Sequence, residues 1–185
     1  AAVAAADAVR QVWGVPPRCL RLAVLADEEG MMQGVKAFVR AGMARGFRGA
    51  IVCEPEQNEL CLWQKGALRV RLQLRGRMAH GAMPYAGANP IPAAARLALA
   101  AAQVEQRLQQ GHSHPQLGVP YVTPTVLVAS AGPGQLNVLP DRAELALDVR
   151  TVPGVDHGAL VDELRGELVR VLQESPGVQG ELEVL

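Results

Sequence analysis

The sequence has few aromatic residues and no excess of either charge. Phe, Trp and Tyr make up only 3% of its 185 residues, which argues against an aromatic platform for stacking nucleic acid bases. Lys and Arg number 18, as do Asp and Glu, so no net positive charge is available to attract nucleic acid or an anionic membrane. We therefore expect neither nucleic acid nor a membrane among the partners.

Long apolar runs and paired cysteine motifs are also missing. No apolar run approaches the roughly 20 residues of a membrane span, and the Ala-rich residues 1–12 lack the basic leader of a signal peptide. Cys19, Cys53 and Cys61 lie in or beside apolar segments and have no C-x-x-C spacing. We expect buried, reduced thiols in a cytoplasmic protein.

The N-terminal part of the chain combines helical and strand-like segments. Residues 1–11 have the composition of a helix. Residues 20–25 and 49–53 are short apolar runs typical of strands buried on both faces, and 31–45 between them has helical apolar spacing. Strands joined by a helix usually lie parallel and close together. We therefore predict part of an α/β domain, with one more short strand at 59–63.

Four carboxylates follow the first two of these predicted strands. Asp27, Glu28 and Glu29 come directly after the first strand, and Glu54 follows the second. Functional groups gather at the carboxyl ends of strands in open α/β sheets. Carboxylates crowded at one edge repel each other unless a cation holds them, so the arrangement indicates a metal site. The residue pattern leaves a solvated acidic turn open as the alternative.

From Leu68 to Arg75 the sequence alternates strictly between apolar and polar residues. This period of two predicts a strand of an antiparallel sheet with one buried face. Helical spacing and further short apolar runs follow. The predicted elements are a helix at 91–110, strands at 121–129 and 143–151, a helix at 156–173 and a strand at 178–185.

The element order from residue 68 onward is β-α-β-β-α-β, which is that of the ferredoxin-like split unit. No element of that unit is missing from the predicted order. We place a domain boundary near residue 65. Residues 1–65 then form a partial α/β domain, and residues 66–185 form a complete α+β domain of the ferredoxin-like type.

Two polar patterns in the second domain have simple interpretations. Arg69, Arg71 and Arg75 share one face of the alternating strand, and a solvated sheet face is favoured over a phosphate site. His112 and His114 have a spacing that could chelate a metal ion in an extended segment. They have no acidic or cysteine neighbour, so we expect both to face solvent.

Several short motifs, in a fixed order, resemble those of a known enzyme family. They are ADEEG at 26–30, EP at 54–55, KG at 65–66, GRMAHG at 76–81, GANPI at 87–91, NVLPD at 137–141 and DVR at 148–150. Together they are similar to the motifs of the dinuclear zinc aminoacylases and carboxypeptidases. That family includes acetylornithine deacetylase, succinyl-diaminopimelate desuccinylase and glutamate carboxypeptidases. The resemblance implies a zinc-peptidase-like α/β catalytic domain followed by a ferredoxin-like lid and dimerisation domain.

The resemblance implies metal-assisted hydrolysis of amide bonds in N-acyl amino acids or small peptides. Glu28 matches the general base that deprotonates the metal-bridging water. Glu29 matches a ligand of one zinc ion and Glu54 a ligand of the second, with cobalt or manganese as possible substitutes. Neighbouring side chains on an extended segment diverge, which allows Glu28 and Glu29 to take different roles.

Three residues of the second domain also have roles implied by the resemblance. His80 matches a histidine that reaches the partner's active site in a homodimer and stabilises the oxyanion. Asn137 and Arg150 match positions that bind the substrate's carboxylate or carbonyl, and a planar guanidinium suits a terminal carboxylate. Because Asp148 shares a strand face with Arg150, we also predict an ion pair that holds Arg150 in place.

Part of the family's ligand set is missing: a His-x-Asp motif, a bridging Asp before the two glutamates, and a late His. The first histidine is His80, and Asp7 is the only acidic residue before Asp27. We interpret the chain as an internal fragment of a family enzyme, and expect it to be inactive as given because Glu29 and Glu54 alone do not complete two zinc sites. A dimerisation module and a non-catalytic ligand-binding domain remain alternatives.

Overall fold

The computed structural model describes residues 2–14, 20–54, 59–132 and 135–185. The chain divides into two compact units, residues 1–60 and 61–185. Helices and a β-sheet are both present, so the protein is a mixed α/β fold. None of the helices within the described ranges has the length and apolar character needed to cross a membrane.

The first unit contains two short helices, α1 (Ala2–Trp13) and α2 (Gln33–Arg40). Helix α1 confirms the predicted N-terminal helix. Helix α2 is shorter than the helix predicted at 31–45, because the chain leaves the helical conformation in turns at 41–46. Gly42 has φ +70° in these turns, a left-handed conformation that ends helices and that glycine adopts without strain.

The strands predicted at 20–25, 49–53 and 59–63 are wrong. The described residues before Gly66 contain no strand, and Val24 remains 90% exposed. A parallel strand is stabilised by hydrogen bonds to neighbouring strands and by burial of both faces. The described part of this unit supplies neither, so the apolar composition of these segments does not produce the predicted sheet.

The cysteines are more exposed than predicted. Cys53 and Cys61 are free thiols, as expected, but both are exposed rather than buried. Each lies in one of the segments that form no strand, so no packed sheet covers its sulfur atom. Cys19 lies outside the described residues.

The second unit is built around a four-stranded antiparallel sheet. Its elements are β1 (Gly66–Arg75), β2 (Ala79–His80), α3 (Ile91–Gly111), β3 (Tyr121–Ala129), β4 (Val138–Leu139), β5 (Arg142–Thr151), α4 (His157–Gln173) and β6 (Gln179–Val184). The sheet order is β3-β5-β1-β6, and the two-residue strands β2 and β4 pair separately. The six long elements follow one another in the predicted order, with ends close to the predicted positions.

One face of the sheet packs against both helices. In β1, Val70, Leu72 and Leu74 are at most 1% exposed, as the alternation predicts. They share one hydrophobic core with buried residues of α3 and α4, among them Leu97 and Leu164. The opposite face, here called the outer face, therefore carries the polar residues of the alternating strands.

Candidate functional site

A short strand pairing fixes the position of His80. In the β2–β4 pair, His80 lies opposite Val138. The Gly81 N–H donates to the Asn137 carbonyl oxygen at 2.7 Å. These contacts bring His80 and Asn137 side by side although they are 57 positions apart in the sequence.

The side chains of His80 and Asn137 form an exposed polar pair. The His80 Nε2 lies 3.2 Å from the terminal amide of Asn137, and the Ala82 N–H donates to His80 Nδ1 at 3.1 Å. A neutral imidazole that accepts at Nδ1 carries its proton on Nε2. The structure places the Asn137 Nδ2 at this distance, so a proton on His80 Nε2 requires the Asn137 amide to be turned by 180°, with its oxygen as the acceptor.

Gly76 closes the base of the loop that carries His80. Its N–H donates to the Asp141 carbonyl oxygen at 2.7 Å. A Cβ atom at Gly76 would lie 2.0 Å from the carbonyl oxygen of Ala88, which already accepts the Arg77 N–H at 2.9 Å. Only glycine fits this close approach of two backbone segments. The sequence motif contains Gly76, but its packing role is visible only in the structure.

Arg150 is held by a neighbouring carboxylate. Its Nε donates to Asp148 Oδ2 at 2.7 Å, which confirms the predicted ion pair. Asp148 also lies 3.9 Å from the Nε of Arg69 on the adjacent strand. In the part of the chain that the structure describes, this bond to Asp148 uses only Nε of Arg150, so its terminal nitrogens remain to bind a ligand carboxylate.

The sheet does not bring Arg150 together with the His80–Asn137 pair. Strands β1 and β5 pair from Gly66 opposite Thr151 to Arg75 opposite Arg142. Arg150 lies beside the first of these rungs, whereas the His80 loop follows the last. Eight residues of antiparallel strand span roughly 27 Å, so one small ligand cannot contact both places within one protomer.

The three predicted catalytic and metal-binding glutamates all lie in the first unit. Glu28, Glu29 and Glu54 are exposed. No group of three or more His, Cys, Asp or Glu residues within the described ranges could hold a metal ion. Zinc sites normally use four donors, or three and a water. The described residues therefore do not fit a dinuclear zinc centre by themselves.

Asp27 has a structural role that the sequence did not reveal. Its backbone is left-handed, with φ +65°, and its Oδ2 accepts hydrogen bonds of 3.2 Å from the N–H groups of Met31 and Gln33. The carboxylate thus satisfies backbone donors in the turn that precedes α2. An aspartate shortly before a helix is a recognisable signal for such a role.

The prediction that His112 and His114 face solvent holds only in part. Both are half-buried. His112 Nδ1 lies 3.1 Å from the Leu108 carbonyl oxygen, and the His114 ring packs against Trp63 with 5.1 Å between centroids. These contacts with the end of α3 and with Trp63 explain why both rings are partly covered.

Comparison with known proteins identifies the second unit. Residues 62–175 match the M20 family model described as the peptidase dimerisation domain. Among solved structures, AtUAH in complex with (S)-hydroxyglycine superposes with a TM-score of 0.54 at 18% identity, over 65% of this chain and 27% of that chain. This likeness concerns the fold alone.

Two curated relatives match most of the chain. Acetylornithine deacetylase of Myxococcus xanthus is 30% identical over 174 residues, which are 90% of this chain and 43% of that protein. Acetylornithine deacetylase of Vibrio campbellii is 27% identical over 173 residues, 92% of this chain and 45% of that protein. The chain thus spans less than half the length of these relatives. The matches confirm the resemblance found in the motifs: the chain belongs to the M20 peptidase family, and residues 62–175 match its dimerisation domain.

Proposed function

We propose that the complete protein is a zinc-dependent hydrolase of amide bonds in N-acyl amino acids or small peptides. In this proposal, residues 66–185 are a ferredoxin-like lid and dimerisation domain. The matches to acetylornithine deacetylases support an amide hydrolase. The element order and the sheet order β3-β5-β1-β6 support the ferredoxin-like lid. Because the described residues do not complete a metal centre, the chain alone is proposed to be inactive.

The observation that carries the proposal is the His80–Asn137 pair. Amide hydrolysis develops negative charge on the carbonyl oxygen, and fixed donors aimed at that oxygen stabilise it. With its proton on Nε2, His80 donates to Asn137 in the absence of substrate; an oxyanion would take this donor in place of the Asn137 oxygen, with the Asn137 amide hydrogens as the second donor. Both side chains are exposed and their backbones are held by the β2–β4 pairing. A neutral donor pair on a fixed loop suits an oxyanion.

We assign the metal-binding and general-base roles to acidic residues of the first unit. We assign Glu29 and Glu54 as one ligand each of the two zinc ions, and the remaining ligands are expected outside this chain. Two zinc ions would supply an activated water and a polarised carbonyl group. Glu28 is assigned as the general base, which takes a proton from water and returns it to the leaving amine. Arg150 binds the substrate carboxylate, with Asp148 fixing its orientation.

The distance along the sheet supports action across a homodimer. Arg150 and the His80–Asn137 pair lie at opposite ends of the β1–β5 pairing. One substrate can contact both only if they come from different protomers. Strand β3 lies at an edge of the sheet, and its Leu127 and Val128 are 53% and 58% exposed. An exposed apolar edge is a surface that a second copy can cover. The same edge favours the second candidate function, a dimerisation module.

Hydrolysis by the complete protein tests the amide hydrolase directly. We expect zinc in the purified protein, release of acetate from N-acetyl amino acids, and loss of that activity in Glu28→Gln. The control Asp162→Asn, at an exposed position of α4, is expected to keep wild-type activity. Absence of both zinc and hydrolysis in the wild-type protein would refute the hydrolase and leave the dimerisation module.

Mixed dimers test the assignment of His80 across the interface. Glu28→Gln and His80→Ala variants are each expected to be inactive. After mixing and subunit exchange, a mixed dimer contains one site with both Glu28 and a partner's His80. Random exchange therefore restores about a quarter of the wild-type activity. Recovery that does not exceed the sum of the separate variants contradicts action in trans.

A further inference from the structure

One rung of the sheet places two arginines opposite each other. On the outer face, Arg75 at the end of β1 pairs in register with Arg142 at the start of β5. Like charges directly opposite in an antiparallel pair destabilise the sheet. The pairing therefore has an electrostatic cost unless an anion lies between the two guanidinium groups.

The neighbouring rungs do not show this arrangement. Arg71 lies 3.6 Å from Glu144 and 3.5 Å from Glu183 on the strands at either side. Arg69 lies opposite Asp148, with 3.9 Å between the charged groups. Cross-strand arginines of β1 are thus matched with carboxylates everywhere except at the last rung.

The two arginines have no carboxylate partner in the described residues. Neither Arg75 nor Arg142 has an acidic oxygen within 4.0 Å among residues 2–14, 20–54, 59–132 and 135–185. Glu144 and Glu181 lie one rung away on the same face, opposite Gln73 from either side. Glu144 is already within reach of Arg71. Arg75 and Arg142 therefore have no carboxylate opposite them. Of the two carboxylates at the next rung, only Glu181 is not already within reach of Arg71.

A depression of about 310 Å³ lies at this end of the sheet. Arg75 and Arg142 line it, together with Gln73, Ser130 and Glu144. Its volume is sufficient for a small polyatomic anion. Directly opposite Cβ atoms are about 5 Å apart in an antiparallel pair, so both guanidinium forks can reach the oxygens of one tetrahedral group.

We propose that the depression between Arg75 and Arg142 binds a phosphate dianion, either free or as a phosphate monoester. Two guanidinium groups match two negative charges, and each can bind two oxygens of a tetrahedral group. A single carboxylate has only two oxygens and one charge, so it leaves one arginine uncompensated. The depression contains none of the residues assigned to catalysis, metal or substrate binding, although Val128 of the proposed dimer edge also lines it; failure of phosphate binding would therefore leave the hydrolase assignment unaffected.

Titration calorimetry of the purified chain with inorganic phosphate and, separately, with glycerol 3-phosphate tests the proposal. Both measurements use constant ionic strength. We expect saturable binding that weakens at least about tenfold in Arg142→Gln and in Arg75→Gln, because each variant loses charge-assisted hydrogen bonds. The tighter of the two ligands identifies whether free phosphate or the monoester is the natural form.

The matched control is Arg165→Gln, an exposed arginine of α4 that pairs with Asp162 at 2.9 Å. It removes the same charge from the protein and is expected to leave phosphate affinity within about twofold of the wild type. In phosphate-free buffer, Arg142→Gln is expected to raise the melting temperature, because the like-charge pair is removed. Absence of saturable binding, or equal weakening in Arg165→Gln, would overturn the proposal.

Discussion

The Nε of Arg150 donates a 2.7 Å hydrogen bond to Oδ2 of Asp148, two residues earlier on the same strand face. The Asp148 side chain is 26% exposed and also lies 3.9 Å from Arg69. A carboxylate between two arginines limits the orientations available to both guanidinium groups. If Arg150 binds the substrate carboxylate, as proposed, Asp148 acts as its positioning residue without contacting the substrate itself.

Asp148→Asn in the complete protein is expected to raise KM for an N-acyl amino acid severalfold and to change kcat little. Arg150 keeps its charge in this variant but loses its charge-assisted partner, so substrate binding weakens more than the chemical step. Steady-state kinetics over a range of substrate concentrations separates the two parameters. Glu183→Gln, which removes another carboxylate of the outer face, serves as the control and keeps the wild-type KM. An unchanged KM in Asp148→Asn would show that Arg150 does not need this bond.

The tautomer of His80 can be measured directly. The Ala82 N–H donates to His80 Nδ1, so we expect the neutral ring to carry its proton on Nε2. Nitrogen-15 chemical shifts of the imidazole distinguish the two tautomers. In Asn137→Ala the Nε2–H tautomer is expected to persist, because the backbone bond to Nδ1 remains. A proton on Nδ1 in the wild-type protein contradicts the donor role proposed for His80.

The second unit could be predicted from sequence because its signals are local. The alternation from Leu68 to Arg75 and the helical spacing of α3 each report which side chains face the core, and both elements form as predicted. Residues 20–25 carry an equally apolar pattern, but a doubly buried strand also depends on neighbours elsewhere in the chain. That dependence explains why the predicted strand is absent.

The site was predictable only in part. The motif order suggested His80 and Asn137, but no spacing rule relates two residues 57 positions apart. Their contact depends on the two-residue pairing of β2 with β4, which is too short to leave a periodic signal. The Ala82 N–H that sets the tautomer of His80 is a backbone group, so the residue types in the sequence do not predict this hydrogen bond.

Gly76→Ala is expected to lower the free energy of unfolding by about 2–3 kcal/mol, because the added Cβ meets the Ala88 carbonyl oxygen at 2.0 Å. The backbone must move, and the loop that carries His80 moves with it. Gly166→Ala is the matched control: it lies within α4, where a Cβ meets nothing within 4 Å. This control is expected to stabilise the protein by up to about 1 kcal/mol through helix propensity. Urea denaturation measures both, and equal effects would contradict the close packing at Gly76.

An ion-pair network between α3 and α4 gives the stability a pH dependence. Arg107 lies 2.7 Å from Glu163 and 3.0 Å from Glu167, and Arg170 lies 2.7 Å from Glu167. Burial alone would raise the pKa of Glu167, but the hydrogen bonds from Arg170 and Arg107 outweigh it and hold the pKa below its ordinary value of 4.5. The hydrogen bond with Glu163 raises the pKa of Arg107 despite partial burial. Arg107 thus remains charged wherever Glu167 titrates.

Glu167→Gln is expected to lower the free energy of unfolding by about 1 kcal/mol at pH 7, a modest value because both arginine partners are half-exposed. Since the folded pKa of Glu167 lies below the unfolded one, its contribution is complete above pH 4.5 and is lost as the pH falls through the folded value. Urea denaturation from pH 7 to pH 3 should therefore show the wild-type and variant curves converging at the acidic end. Asp162→Asn, which removes an exposed carboxylate of the same helix, is expected to change stability far less at every pH. A difference between wild type and Glu167→Gln that stays constant down to pH 3 would mean that Glu167 stabilises the helix pair by packing rather than by its charge.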